Sequence, residues 1–265
     1  MDKLKKFASD CYLAIIVLFM YAPIATLIVL SFNSGRSRAK WSGFTTDWYM
    51  EMWSDETIMA ALRNTIIIAF LSALIATVLG TIAAIGINNM KSWSRNTIMS
   101  ITNIPMLNAD IVTGISLMLC FIAFRISLGF HTILIAHITF NLPYVILSVM
   151  PKVRQSSKDT YEAALDLGAT PTQAFFKVVL PELMPGVTSG FMLAFTMSLD
   201  DFIITHFTRG AGIDTISTLV YSQVRKGISP TMYALSTVIF VTVFIILIMG
   251  NYAPEWLEKK KSKEN

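Results

Sequence analysis

The chain has 265 residues, of which 54% are hydrophobic and only 14% charged, where a soluble domain carries about 25% charged residues. With a mean hydropathy of +0.60, an ordinary soluble globule is excluded. The net charge of +4 fits basic residues in loops between apolar runs better than it fits nucleic-acid binding, so the composition is that of an all-α membrane protein.

Apolar runs fall at about 12–32, 64–88, 98–123, 131–150, 186–206 and 231–252. Each is near the ~20 residues a helix needs to cross the hydrocarbon core. The first run follows Lys3, Lys5 and Lys6, as a signal peptide would. It is longer than the roughly 7–15 residue core of such a peptide and has no A-x-A site after it, so it reads as an uncleaved first span. Cys11 and Cys120, at the start of the first run and inside the third, read as buried free thiols.

Six spans put both termini on one side of the bilayer. That side holds 13 of the Lys and Arg residues: Lys3, Lys5, Lys6, Lys91, Arg95, Lys152, Arg154, Lys158, Lys177, Lys259, Lys260, Lys261 and Lys263. The other side holds eight: Arg36, Arg38, Lys40, Arg63, Arg125, Arg209, Arg225 and Lys226. The bias predicts both termini in the cytoplasm, and residues 1–265 as a single transmembrane domain surrounded by membrane lipid.

The outer loop 33–63 carries Trp41, Trp48, Tyr49 and Trp53. They form either an interfacial aromatic belt or an outer contact, for an extracytoplasmic partner or a gate. Further along, Pro105 beside Asn103 and Asn108 predicts a break or kink in the third span, and Pro143 after Asn141 predicts the same in the fourth. His131 and His137 lack the spacing of a metal site and read as packing or interface groups. The 15 methionines read as adaptable packing.

Residues 151–185 are too long for a mere connector and carry the signals of two short cytoplasmic helices. Ser156 with Asp159 has capping-box spacing and opens a helix through Glu162, Ala163 and Ala164. Gly168 supplies its stop. Thr170 caps a second helix with Pro171 at its first position and Gln173 completing a capping box, and Pro181 is expected to end it. Small Ala163 and Ala164 admit a close partner surface and Glu162 offers it a carboxylate; a self-packed loop is the alternative.

The order Glu162-Ala163-Ala164, Gly168, Val178-x-Leu180-Pro181 resembles the EAA signature of permease subunits of type I ABC importers, E-A-A-x3-G-x9-I-x-L-P. Six of its seven positions match, and Val178 stands for Ile. The resemblance implies a six-helix permease architecture with a cytoplasmic coupling-helix hairpin, in which Glu162, Ala163, Ala164 and Gly168 serve ATPase coupling. It implies a homologous permease subunit as heterodimer partner, two copies of a cytoplasmic ATPase that bind ATP and Mg, and a periplasmic binding protein, with residence in the bacterial inner membrane. The segments Asn64-Thr65, Pro105 to Ile115 and Ser198 to Phe202 are similar to spermidine and putrescine permeases, which implies a polyamine cargo. The chain has no G-x4-G-K-[ST] loop and no GxSxG, HExxH or CxxC, so no cofactor or catalytic site of its own is expected.

Of the 17 acidic residues, nine fall in cytoplasmic segments and five in outer loops. Asp110, Asp200 and Asp201 remain inside or at the edge of spans, with no Lys or Arg as deep. An ionised side chain at mid-bilayer costs about 2.5–3.5 kcal/mol on insertion scales, which marks it as functional by default. An uncompensated anionic set suits a polycationic cargo, so these three are the candidate substrate-pathway residues. Adjacent helix positions point about 100° apart, so Asp200 and Asp201 are expected to face different ways. Bonding to backbone amides or to a second permease subunit is the alternative.

Overall fold

The computed structural model describes residues 2–35, 40–156 and 158–245. Among these the chain is helical apart from one antiparallel bridge between Asn33 and Phe44. In order, the elements are α1 (Asp2–Ser31), α2 (Asp47–Ser54), α3 (Glu56–Asn88), α4 (Ser92–Leu107), α5 (Asp110–Ala123) and α6 (Phe130–Gln155). There follow α7 (Lys158–Asp166), α8 (Pro171–Ala174), a π-helical turn (Phe175–Val179), α9 (Leu180–Asp200), α10 (Ile203–Thr208) and α11 (Ile216–Lys226), then α12 (Pro230–Ile245).

Four helices are long and apolar enough to cross a membrane: Cys11–Ser31, Glu56–Asn88, Phe130–Gln155 and Pro171–Asp200. The α4–α5 pair makes a fifth if its two members, bent by 104°, count as one span. Residues 246–252 of the expected sixth span lie outside the described residues, as do Arg36, Arg38 and the basic residues 259–263 used to orient the chain.

Two expectations about how prolines end helices need correction, and a third is met. The break or kink expected in the third span is present at Asn108 and Ala109, both in extended conformation, with Pro105 inside the last turn of α4. Proline at 105 removes one backbone donor, which weakens the helix but does not end it on the spot. In the fourth span, α6 runs through both Pro143 and Pro151 without interruption. Nor does Pro181 end the second hairpin helix: it lies in the first turn of α9, and residues 171–200 form one continuous rod. The π turn just before it, closed by the Leu180 N–H on the Phe175 carbonyl, absorbs the donor that proline lacks.

The fifth span correspondingly ends at Asp200, and the stretch expected to carry it to 206 belongs to the separate α10. Cys11 and Cys120 are free, yet exposed rather than buried, because both sit on helix faces that the chain does not cover.

The chain divides into two compact units, residues 60–219 and residues 1–59 with 220–265. In the second of these, the loop after α1 folds on Asn33. Its Oδ1 accepts from the Ser42 N–H at 2.9 Å and its Nδ2 donates to the Lys40 carbonyl at 3.0 Å. Trp48 Nε1 donates to the Asn33 carbonyl at 2.8 Å, the Tyr49 hydroxyl bonds Ser31 Oγ at 2.7 Å, and Phe32 stacks on Phe44. Trp48 and Tyr49 therefore hold the loop, while Trp41 and Trp53 stay more than half exposed.

The core of residues 60–219 is built from α3, α6 and α9, with Ala73, Ala76, Val145, Val149, Leu183 and Ala194 buried together. Lipid tails are as apolar as these side chains, so close packing rather than expulsion of water holds such helices together, and small residues set the approach. A Cβ at Gly80 would lie 2.6 Å from Val145 Cγ1, and one at Gly190 would touch the same side chain at 3.4 Å. At Gly186 the carbonyl of Ser148 would lie 3.2 Å away. A second cluster of Phe121, Ala136, Phe140 and Ile204 joins α5, α6 and α10.

The contact at Gly80 yields a test. Val145 is branched next to its backbone and has no rotamer that clears the space. Gly80→Ala is expected to destabilise the chain by about 1–3 kcal/mol, read as a lower melting temperature in detergent, and Val145→Ala in the same chain to restore only part of the loss, because the Cβ at 145 still lies 2.9 Å from the added one.

Candidate functional site

The three acids that the sequence places in or at the edge of spans occupy three different settings. Asp110 is the first residue of α5 and is exposed; at a helix N-terminus its negative charge is favoured by the helix dipole. Asp200 is the last residue of α9 and is also exposed. Asp201, next in sequence, turns the other way, and its side chain is only 8% exposed. The two differ as expected, with one carboxylate open and one enclosed, although Asp201 lies just past the helix in extended conformation.

Asp201 is fully engaged. Its Oδ1 accepts from the Ile204 N–H at 3.2 Å, and its Oδ2 from the Thr205 N–H at 2.7 Å and the Thr205 hydroxyl at 2.9 Å. It thus satisfies backbone donors at the start of α10, which has no other side-chain cap. Beside it lies His137 of α6, 2% exposed, with Nε2 at 2.9 Å from Thr205 Oγ1 and 3.4 Å from Asp201 Oδ2. The other ring nitrogen, Nδ1, is 2.5 Å from Ser198 Oγ, which in turn is 3.0 Å from Ser72 Oγ of α3.

Donor directions follow from chemistry. The Thr205 hydrogen is given to the carboxylate, so its oxygen accepts from Nε2–H. A neutral imidazole protonated at Nε2 then has Nδ1 as acceptor, which receives the Ser198 hydroxyl. Ser72, Ser198, His137, Thr205 and Asp201 form one polar chain across α3, α6, α9 and α10. Sequence reasoning placed His137 among packing groups and did not single out Ser198 or Thr205. The available signal was an imidazole and a carboxylate in apolar spans, with Thr205 four residues after Asp201.

The Asn64-Thr65 pair has its own task. Asn64 Nδ2 donates to the Asp214 carbonyl at 3.1 Å, and Thr65 Oγ1 accepts from the Ile216 N–H at 2.9 Å. The same loop is closed by an Arg209–Asp214 ion pair, with the Thr218 hydroxyl on Asp214 at 3.1 Å. These bonds tie the segment after α10 to α3.

At the hairpin, α7 ends in a Schellman turn. The Ala169 N–H reaches the Ala164 carbonyl at 3.1 Å and the Gly168 N–H reaches Leu165 at 2.9 Å, with Gly168 at φ +87°. Thr170 and Gln173 make the reciprocal capping box, at 3.3 and 3.1 Å. Ser156 does not start α7: it caps the end of α6, and its hydroxyl donates to Glu182 at 2.7 Å. Glu162, Ala163 and Gly168 are exposed and Ala164 is half-buried, while Leu167 at the turn is 89% exposed.

Residues 76–261, most of the chain, match the family described as "binding-protein-dependent transport system inner membrane component". The chain belongs to this family. As such a component it is a multi-pass inner-membrane permease subunit, and ATP-hydrolysing and binding-protein partners follow from that membership. The putrescine transport system permease protein PotI of Escherichia coli K12 is 37% identical over 253 residues, covering 93% of this chain and 90% of PotI. The spermidine/putrescine transport system permease protein PotC of the same organism is 34% identical over 254 residues, covering 96% and 95%. A chain from the crystal structure of a bacterial alginate ABC transporter, in complex with a periplasmic protein bound to an alginate pentasaccharide, shares the fold. It has a TM-score of 0.70 and 18% identity over 95% of both chains.

In this permease subunit the two neighbouring aspartates respond differently to loss of charge. Asp201→Asn is expected to cost about 1–3 kcal/mol, since an amide cannot accept every bond the carboxylate accepts. Asp200→Asn is expected to change stability by less than about 0.5 kcal/mol, as an exposed substitution does. Thermal unfolding of the two purified variants in detergent checks the contrast.

Proposed function

We propose that the chain is a permease subunit of a polyamine importer that carries spermidine and putrescine across the inner membrane by alternating access. The observation that carries this reading is the similarity, over nearly the whole chain, to the putrescine permease PotI. The chemistry of the spans agrees with it. Two exposed carboxylates, Asp110 and Asp200, stand at helix ends, while Asp201, next to Asp200 in sequence, is already occupied.

An alkyl ammonium entering such a pathway keeps its charge while it sheds water, through charge-assisted hydrogen bonds to carboxylates and contacts with aromatic faces. A few separate stations suit transport better than a tight cage, because the cargo must leave again. In this reading Asp110 and Asp200 face the cargo, and Asp201 belongs to the scaffold that shapes the site.

The membrane arrangement we propose has six spans: α1, α3, the bent α4–α5 pair, α6, the rod 171–200, and one that includes α12. Both termini lie in the cytoplasm, and the whole chain acts as one transmembrane domain. The pathway forms against a homologous permease subunit. Two ATPase copies, which hold ATP and Mg, dock on the hairpins, with Glu162, Ala163, Ala164 and Gly168 at the contact. A periplasmic polyamine-binding protein delivers cargo to the outer face, where exposed Trp41 and Trp53 are the contact candidates and Trp48 and Tyr49 support the loop that presents them.

The test is co-purification of the transporter and measurement of ATP hydrolysis and uptake with a polyamine panel. Polyamines are expected to stimulate hydrolysis, and Asp110→Asn and Asp200→Asn each to lower uptake at least fivefold with assembly intact. Ala163→Trp is expected to abolish stimulation by blocking the close approach at the hairpin. No associated ATPase, or stimulation by anions alone, overturns the reading.

A further inference from the structure

We propose that His137 is a positioning residue for the cargo: it aims the Asp200 carboxylate and keeps the neighbouring Asp201 out of competition. The inference rests on the reading of Asp200 as a pathway acid, and its basis is the placement of one imidazole across a break in the chain. Asp200 ends α9, and Asp201 then adopts an extended conformation at φ −63° and ψ 123°. The backbone here leaves the helix, so the direction of the Asp200 side chain depends on how the two flanks are held.

Both flanks are held by the same ring. Two residues before Asp200, the Ser198 hydroxyl sits 2.5 Å from His137 Nδ1. On the far side, Asp201 and Thr205 meet Nε2, at 3.4 and 2.9 Å. The ring is anchored in α6, inside an uninterrupted helix, and Ser198 is braced in addition by Ser72 of α3 at 3.0 Å. Asp200 thus lies between two pinned points whose common support is a rigid neighbouring helix.

The second consequence concerns charge. Two adjacent carboxylates at one helix end would offer the ammonium group alternative partners in different directions. Asp201 accepts three hydrogen bonds, with the imidazole alongside, and its side chain is 8% exposed. Only Asp200 remains open at the junction. His137 therefore contributes to affinity without touching the cargo.

The measurement is concentration-dependent uptake of 1,4-diaminobutane by the co-purified transporter in proteoliposomes at saturating ATP. The variants are His137→Ala, His137→Gln, Ser198→Ala and Asp200→Asn, with His137→Ala repeated in the Asp200→Asn background. His137→Ala is expected to raise KM at least tenfold while the maximal rate changes less than threefold. His137→Gln, which keeps a donor for Thr205, and Ser198→Ala, which removes one bond only, are expected to fall in between.

The decisive readout is the double variant. If His137 acts through Asp200, His137→Ala changes KM by less than twofold once Asp200 is Asn, because the two effects share one route. The same fold-change in both backgrounds, or a loss of maximal rate at constant KM, overturns the proposal and leaves Asp200 as a pathway acid. An unchanged KM in Asp200→Asn alone overturns the pathway reading of Asp200 and the proposal with it. Ser198→Ala keeps the ring in place, so the question remains answerable if His137→Ala fails to assemble.

Discussion

Hydrocarbon offers no hydrogen-bond partners, so each place where a membrane helix stops must satisfy its own backbone from within the protein. Around this constraint the functional half of the chain is organised. At the end of α9 the next helix starts almost at once, and Asp201 takes the freed N–H groups of Ile204 and Thr205. A carboxylate placed there needs partners of its own, and Thr205 and His137 supply them, with Ser198 on the other ring nitrogen of His137. The break between α4 and α5 is handled more lightly, by the Asn108 amide on the Thr113 hydroxyl at 3.3 Å. The heavier investment lies at the Asp200–Asp201 junction, where the chain must turn without losing precision.

Packing and polarity divide the work between them. Along the length of α3, α6 and α9, glycine and alanine bring backbones close enough for van der Waals contact to hold the helices. The polar chain from Ser72 to Asp201 crosses the same helices and adds direction, since hydrogen bonds, unlike van der Waals contacts, require aligned partners. By contrast, none of the apolar window of α1 is buried inside the chain. In water such a surface would be a liability; in a bilayer it meets lipid or another membrane chain.

The apolar runs located the long helices because hydrocarbon thickness imposes their length, and that signal survives in composition alone. The turn at Gly168 and the cap at Thr170 were equally legible, since positive φ and a capping box each demand particular residues. Proline was an uneven guide. The break expected near Pro105 occurs at Asn108 and Ala109, whereas Pro143 and Pro151 sit inside a helix that does not stop, and Pro181 sits inside the rod it was expected to end. A missing donor is a local cost that neighbours can absorb, so its outcome depends on packing that sequence does not display. That Asp200 and Asp201 differ in exposure was anticipated from helical periodicity, although Asp201 lies just past the helix. The role of His137 was not anticipated, because Ser198, Thr205 and Asp201 come to it from at least 61 residues away.

The π turn at Phe175–Val179 has a mechanical meaning. Had Pro181 ended the second hairpin helix, a flexible joint would separate the hairpin from the helix that ends at Asp200. Instead, residues 171–200 run unbroken, and 30 residues at the helical rise span about 45 Å. Such a rod is a lever with the hairpin at one end and Asp200 at the other. Pivoting it by about 5° displaces its far end by about 4 Å, more than the length of a hydrogen bond. Because Ser198 near the far end of this rod is bonded to His137 of α6, a tilt set at the hairpin is passed on to that neighbouring helix.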